Sequence, residues 1–234
     1  MRRSAKWISI LFLTFSLPGC GQIDKWYYCG YGHKNAENKN YETAIRLLDN
    51  CLELGSLLPK QQVFYLQTRA WAHFSLDNYS KALQDQEKSF KLIPPTTHRE
   101  FINHAAYLRM VGRSLESLEP LLKAEVLDER DGRHPSMMTQ YNLGWSLYEI
   151  GRYDEAIAAF TKGIPSQPDY PFVYFRRGLA YDKIDQVKKA ESDFAEFVTF
   201  FEIEDSVFNE RFSNELKEMS LKYSELKILL KEAN

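Results

Sequence analysis

No stretch of this chain is apolar for long enough to cross a bilayer. The longest such run, Trp7 to Leu17, is about eleven residues, against the roughly twenty that a spanning helix requires. Histidine is scarce: the five present, His33, His73, His98, His104 and His134, lie in different segments. None falls in a metal-ligand spacing such as HExxH. There is no glycine-rich phosphate loop, and no serine stands in a nucleophile-elbow context. These absences predict a chain that is not an enzyme and has no metal, no cofactor and no small-molecule substrate. An excess of charge of one sign is also missing, with 30 Lys and Arg against 32 Asp and Glu, a net charge of −2. Without residues 1–19, which hold three basic groups and no acidic one, the balance is 27 against 32, or −5. Nothing forms the concentrated basic stripe of a nucleic-acid binder, so nucleic acid is not expected as a partner.

What the chain does have is a pattern that returns five times with a period of about 34 residues, which indicates a helical solenoid. The clearest copy covers residues 137–170, MMTQYNLGWSLYEIGRYDEAIAAFTKGIPSQPDY. Leu143, Gly144 and Leu147 share one helical stripe, Gly151 ends that helix, and Tyr153, Ala156 and Phe160 form a second stripe that Pro165 and Pro168 stop. Small residues sit where two antiparallel helices approach, and large ones fill the space around them. The other copies hold the same phase. Residues 25–58 carry Gly32, Tyr41, Ala44 and Leu48; residues 63–96 carry Ala70, Tyr79, Ala82 and Pro94. Residues 98–131 carry Ala105, Leu108, Gly112 and Leu121, and residues 171–204 carry Gly178, Tyr181, Ala190 and Phe194. The third copy departs at Ser117, where Ala is expected, and at Pro120, which falls inside its predicted second helix and predicts a kink there.

This pattern resembles the tetratricopeptide repeat (TPR) over most of the chain. The resemblance implies an all-α fold, a right-handed TPR superhelix of about five helix-turn-helix repeats over residues 20–204. It also implies that the first helices line a concave groove that holds a peptide or a partner helix. In phase, that side receives Phe64, Gln67, Trp71 and Phe74 from the second repeat, and Ile102, Asn103 and Arg109 from the third. The fourth offers Tyr141, Asn142, Trp145 and Tyr148, and the fifth Phe175, Arg176 and Asp182. Aromatic anchors flanked by amides and arginines suit peptide recognition. Part of a carboxylate clamp is matched by Asn142 and Arg176, but Ile102 and Ala106 stand where the clamp needs Lys and Asn. A clamp is therefore not expected.

From Ser206 onward, Phe208, Phe212, Leu216, Met219, Tyr223, Leu226 and Leu230 recur every three or four residues among charged ones. Such an amphipathic helix over 205–234 predicts a cap on the last repeat, or alternatively a partner-binding helix.

The N-terminus has a different chemistry. Arg2, Arg3 and Lys6 precede the apolar run, and Leu17-Pro18-Gly19-Cys20 follows it. The arrangement resembles a bacterial lipoprotein signal peptide (residues 1–19) ending in a lipobox, with Pro18 departing from the usual pattern. It implies cleavage before Cys20, lipid attachment to its thiol, and anchorage in the cell envelope. Gly21 in place of Asp leans toward an outer-membrane site facing the periplasm. Two cysteines remain. Cys29 falls on the first helix of the first repeat and Cys51 on the second, at similar height. In an exported protein this predicts a disulfide closing about 22 residues, worth roughly 3 kcal/mol in the chain-entropy model; two buried free thiols are the competing reading. Together these features predict a membrane-anchored scaffold or adaptor that binds other proteins. The alternative is a pilotin-like assembly factor for a pilus or secretin.

Overall fold

The structure, a computed structural model, describes residues 24–132, 135–201 and 210–227. Residues 1–19, Cys20, His134, Phe208 and Leu230 therefore lie outside the described residues. Eleven α-helices follow one another, and no strand occurs among the described residues. A π-helical turn, Trp26–Gly30, runs into α1 (Tyr31–Glu37), which pairs with α2 (Tyr41–Glu53). The following pairs are α3 (Pro59–Ser75) with α4 (Tyr79–Leu92), and α5 (His98–Met110) with α6 (Leu118–Arg130). Then come α7 (Met137–Glu149) with α8 (Tyr153–Gly163), and α9 (Pro171–Lys183) with α10 (Val187–Phe200). A last helix, α11 (Glu210–Lys222), stands after the fifth pair. Each second helix also packs on the first helix of the next pair, and the core runs as a series of clusters along the stack.

One register governs every pair. A small residue on the first helix faces the residue sixteen positions later on the second. A Cβ on Gly144 would lie 2.6 Å from the Phe160 ring, one on Gly178 2.7 Å from Phe194, and one on Gly32 2.9 Å from Leu48. Ala105 and Leu121 share a cluster in the third pair. In the second, the same register sets Ala70 against Gln86, a buried amide whose Nε2 has no hydrogen-bond partner. One position earlier, two pairs carry an ion pair instead. Arg69 donates two bonds of 2.7 Å to Asp85 and a third to Asp49, and Arg177 grips Asp193 in the same forked way. Forked, charge-assisted bonds of this kind fix orientation as well as adding energy.

The turn inside each pair places one residue in the left-handed region: Lys39, Asp77, Gly112, Gly151 and Asp185, with φ between 57° and 81°. Only two of the five are glycine, so three turns accept the Cβ clash that the conformation imposes.

Pro120 does not kink a helix. The chain forms turns over residues 114–117 and α6 begins only at Leu118, so Pro120 occupies its first turn. There the missing N–H would have had no intrahelical partner, and the fixed φ suits the start of a helix. Ser117, at the position that is Ala in the other copies, is fully buried and bonds to Ser146 Oγ at 2.7 Å. The hydroxyl is accommodated because the next repeat supplies a matching one.

Candidate protein-binding groove

The first helices lie side by side, α1 against α3, α5 against α7 and α7 against α9, and so form one wall. That wall has two unlike halves. In the N-terminal half, Phe64 and Trp71 are 46% and 41% exposed, two turns apart on α3. Between them Gln67 donates its amide N–H to Glu100 of the next repeat at 2.9 Å, which leaves its carbonyl oxygen oriented by that bond. The Phe64 ring meets His33 at 4.8 Å and Trp71 meets Tyr41 at 5.4 Å, both edge to face. Such pairs hold each ring while leaving a face open. Asn103 is half-buried, and Phe74 packs against Tyr79 and Tyr107.

The C-terminal half is filled. Trp145 is sandwiched between two guanidiniums, Arg109 at 3.8 Å and Arg176 at 4.0 Å from its ring centre. Both arginines are buried, and such desolvated cation–π contacts reach about 2 kcal/mol each. Arg109 also donates to Asn142 Oδ1 at 3.1 Å, and the Trp145 indole N–H donates to Glu149 at 3.0 Å. Tyr141 is buried with Tyr170 at 5.2 Å, and burial raises its phenol above the ordinary value despite the nearby Arg176 and Arg109. Burial likewise pushes Tyr148 up to about 12. Phe175 is fully enclosed by Phe194, Phe197 and Phe212. Of the fourteen groove candidates, Ile102, Arg109, Tyr141, Asn142, Phe175 and Arg176 are thus buried, Gln67, Phe74, Asn103, Trp145, Tyr148 and Asp182 are half-buried, and only Phe64 and Trp71 are exposed.

In the fifth repeat the cover comes from α11 and the residues that follow it. Phe212 inserts among Phe172, Phe175, Phe197 and Phe201, and Tyr223 lies on Phe194 at 4.7 Å. Glu215 pairs with Arg176 at 2.7 Å. Asp182 receives hydrogen bonds from Lys222 and Tyr223. Burial alone would raise the Asp182 carboxyl, but those two bonds outweigh it and hold it below its ordinary value. Sequence periodicity identified α11 as amphipathic without showing which groove residues it would cover.

A second apolar surface lies on the outer side of the third repeat. Leu115, Leu122 and Val126 are more than half exposed there, beside Phe101 and Leu118. Sequence spacing does not reveal this stripe, because i, i+7, i+11 reads as core in any solenoid helix. At the other end, Cys29 and Cys51 are joined by a disulfide with their Cα atoms 4.9 Å apart, which ties the π-helical turn to α2.

Comparison with known proteins agrees with this geometry. The family model for the tetratricopeptide repeat matches residues 100–171 and 141–198. A small glutamine-rich tetratricopeptide repeat-containing protein 2 from Mycosarcoma maydis is 28% identical over 125 residues, which cover 53% of this chain and 33% of that protein. Human (Homo sapiens) RNA polymerase II-associated protein 3 is 33% identical over 81 residues, 33% of this chain and 12% of that protein. The chain therefore spans a third or less of the length of these relatives. Among solved structures, MamA 41-end from Desulfovibrio magneticus RS-1 superposes with a TM-score of 0.62 at 18% identity, covering 78% of this chain and 98% of that one. YrrB, described as a TPR protein with an unusual peptide-binding site, gives 0.56 at 18% identity, covering 74% and 84%. The paired helices, their shared register and these matches together show an all-α fold of the TPR superhelix type, with tetratricopeptide repeats matched within residues 100–198.

Proposed function

We infer that the chain is a lipid-anchored scaffold of the bacterial envelope that holds an extended segment of a partner protein along the open half of its concave wall. The observation that carries this reading is the pair Phe64 and Trp71. Both are inward positions of the repeat and both keep an exposed ring; at the position of Trp71 the later repeats carry Ala106, Trp145 and Leu179, all half-buried or buried. Rings of this size supply buried area on binding, and Gln67 between them offers a backbone-like acceptor. The disulfide supports an oxidising compartment. The segment Leu17-Pro18-Gly19-Cys20 supports an acyl anchor, with Gly21 favouring the outer membrane.

Site-specific photocrosslinking in intact cells tests the groove. A photoreactive residue at Gln67 should yield a partner adduct, and Trp71→Ala should weaken it by roughly thirtyfold, the equivalent of about 2 kcal/mol for a binding hot spot. Adducts formed from position 122 on the outer stripe, with none from position 67, would overturn the groove assignment.

A further inference from the structure

The N-terminal end of the stack is built from the wrong residues for an end that faces water. In each later repeat, three positions on the first helix meet the repeat before it: five and one residues before the small residue, and two after. In the second repeat Tyr65 packs on the Cys29–Cys51 cluster, Arg69 reaches Asp49, and Ala72 joins Ala36 and Ala44. In the third, His104 meets Phe90 and Tyr107 meets Phe74. In the fourth, Thr139 bonds to Asp128 at 2.5 Å and Ser146 to Ser117. In the fifth, Arg177 reaches Thr161. The first repeat carries Tyr27, Tyr31 and Lys34 at these positions, in one stripe at i, i+4, i+7, and all three are exposed.

The π-helical turn adds to the stripe. Its i→i+5 bonding widens the turn, and Trp26, 65% exposed, comes to 5.1 Å from the Tyr31 ring, with Tyr27 at 5.6 Å from the same ring. Cys29, in the middle of the turn, is bonded to Cys51, so the patch is held in place covalently. Terminal repeats of solenoids ordinarily turn a polar face outward. An aromatic face with one lysine calls for a cover. The opposite end of the stack is already sealed by α11, so head-to-tail stacking of copies does not supply one.

We propose that Trp26, Tyr27, Tyr31 and Lys34 form a membrane-docking face that rests in the headgroup layer of the bilayer. Three features select a lipid surface as the occupant. Trp and Tyr are the side chains that settle at membrane interfaces, with an apolar ring and a polar tip. Lys34 complements anionic headgroups. Cys20 lies six residues before Trp26, a reach of about 20 Å for a fully extended chain, so an acyl group there keeps this face beside the bilayer. The inference rests on the lipid-anchored reading above. It adds that the repeats meet the membrane end-on, through a built surface and not only through a tether.

The test uses the full chain, processed in a bacterial host and reconstituted into vesicles of phosphatidylethanolamine and phosphatidylglycerol. Tryptophan fluorescence is quenched with lipids brominated near the headgroup. Wild-type protein should be quenched, and Trp26→Phe should lose most of that quenching, because Trp71 and Trp145 lie in later repeats. Tyr27→Ser/Tyr31→Ser/Lys34→Ser should remain acylated yet lose Trp26 quenching. Mass spectrometry of the Cys20 peptide separates the two ways of failing. An unacylated Cys20 would overturn the anchored reading. An acylated chain whose Trp26 is unquenched would overturn the docking face alone, and a concentration-dependent dimer lost on Tyr27→Ser/Tyr31→Ser would show that a second copy covers it instead.

Discussion

Gln86 provides a sharp test of the shared register. It occupies the position that holds Leu48, Leu121, Phe160 and Phe194 in the other repeats, is 1% exposed, and leaves its Nε2 without a partner. An unsatisfied buried donor costs about 1–3 kcal/mol. Methionine has nearly the same length and volume, and volume-conserving exchanges in a core cost less than about 1.5 kcal/mol. Gln86→Met should therefore stabilise the protein by about 1–2 kcal/mol. For a chain of this size each kcal/mol moves the melting temperature by about 2–4 °C, so the expected rise is about 2–8 °C. Calorimetry with the disulfide intact would measure it. Hydrogen exchange of the α3 and α4 amides would show whether the gain is local, as nearest-neighbour coupling in a solenoid requires. An unchanged or lowered midpoint would refute the reasoning and point to a water or a carbonyl that satisfies the amide.

Two further outcomes follow from local features. Asp185 adopts φ 57° in the turn before α10; Asp185→Gly should add about 0.5–1 kcal/mol of stability by urea denaturation, and Gly151→Ala, at φ 77°, should subtract a similar amount. Burial holds the His73 and His104 imidazoles below their ordinary value of 6.5. The unfolded chain thus binds protons that the folded one refuses, so their contribution is complete above about pH 6.5 and falls as the pH drops below it. Around His104 stand Glu87, Arg113, Glu116 and Glu119, and around His73 Asp85, Arg69, Lys81 and Asp49. His104→Leu, which copies Leu143 at the same register position, should shallow the decline in urea midpoint between about pH 7 and 5; an identical slope would remove His104 from the account.

The fold was legible because packing repeats its demands every 34 residues or so. Gly144 faces Phe160 as Gly178 faces Phe194, and a pattern seen twice identifies weaker copies such as Ala105 with Leu121. Pro120 misled because its helix begins later than in the other copies, and helix starts are the least determined feature of a periodic pattern. Lys39, Asp77 and Asp185 gave no sign of left-handed geometry, since glycine is the usual marker of it. The groove was harder. Register says that Arg109, Trp145 and Arg176 face one side, but it does not say that they stack on one another from three different repeats. Nor does it say that Glu215 arrives from beyond the last one. Those facts depend on partners 31 to 39 residues distant and on a helix outside the repeat. Tyr31 was legible in principle: it puts a ring where the second and fifth copies carry Arg69 and Arg177.

The Cys29–Cys51 bond also governs how the molecule bears load. A pull applied to the chain before Cys29 passes through the disulfide into α2 and bypasses α1 entirely. The chain between the two cysteines, a sequence separation of 22 and about 75 Å of extensible length at 3.4 Å per residue, is withdrawn from the force path. The first helix pair, which has a neighbour on one side only, is thereby spared the fraying that tension would otherwise start there. Yielding under force is transferred to α3 and beyond, so a stretched molecule would lose its aromatic groove while its first repeat remained folded: a mechanical fuse placed one repeat in from the end.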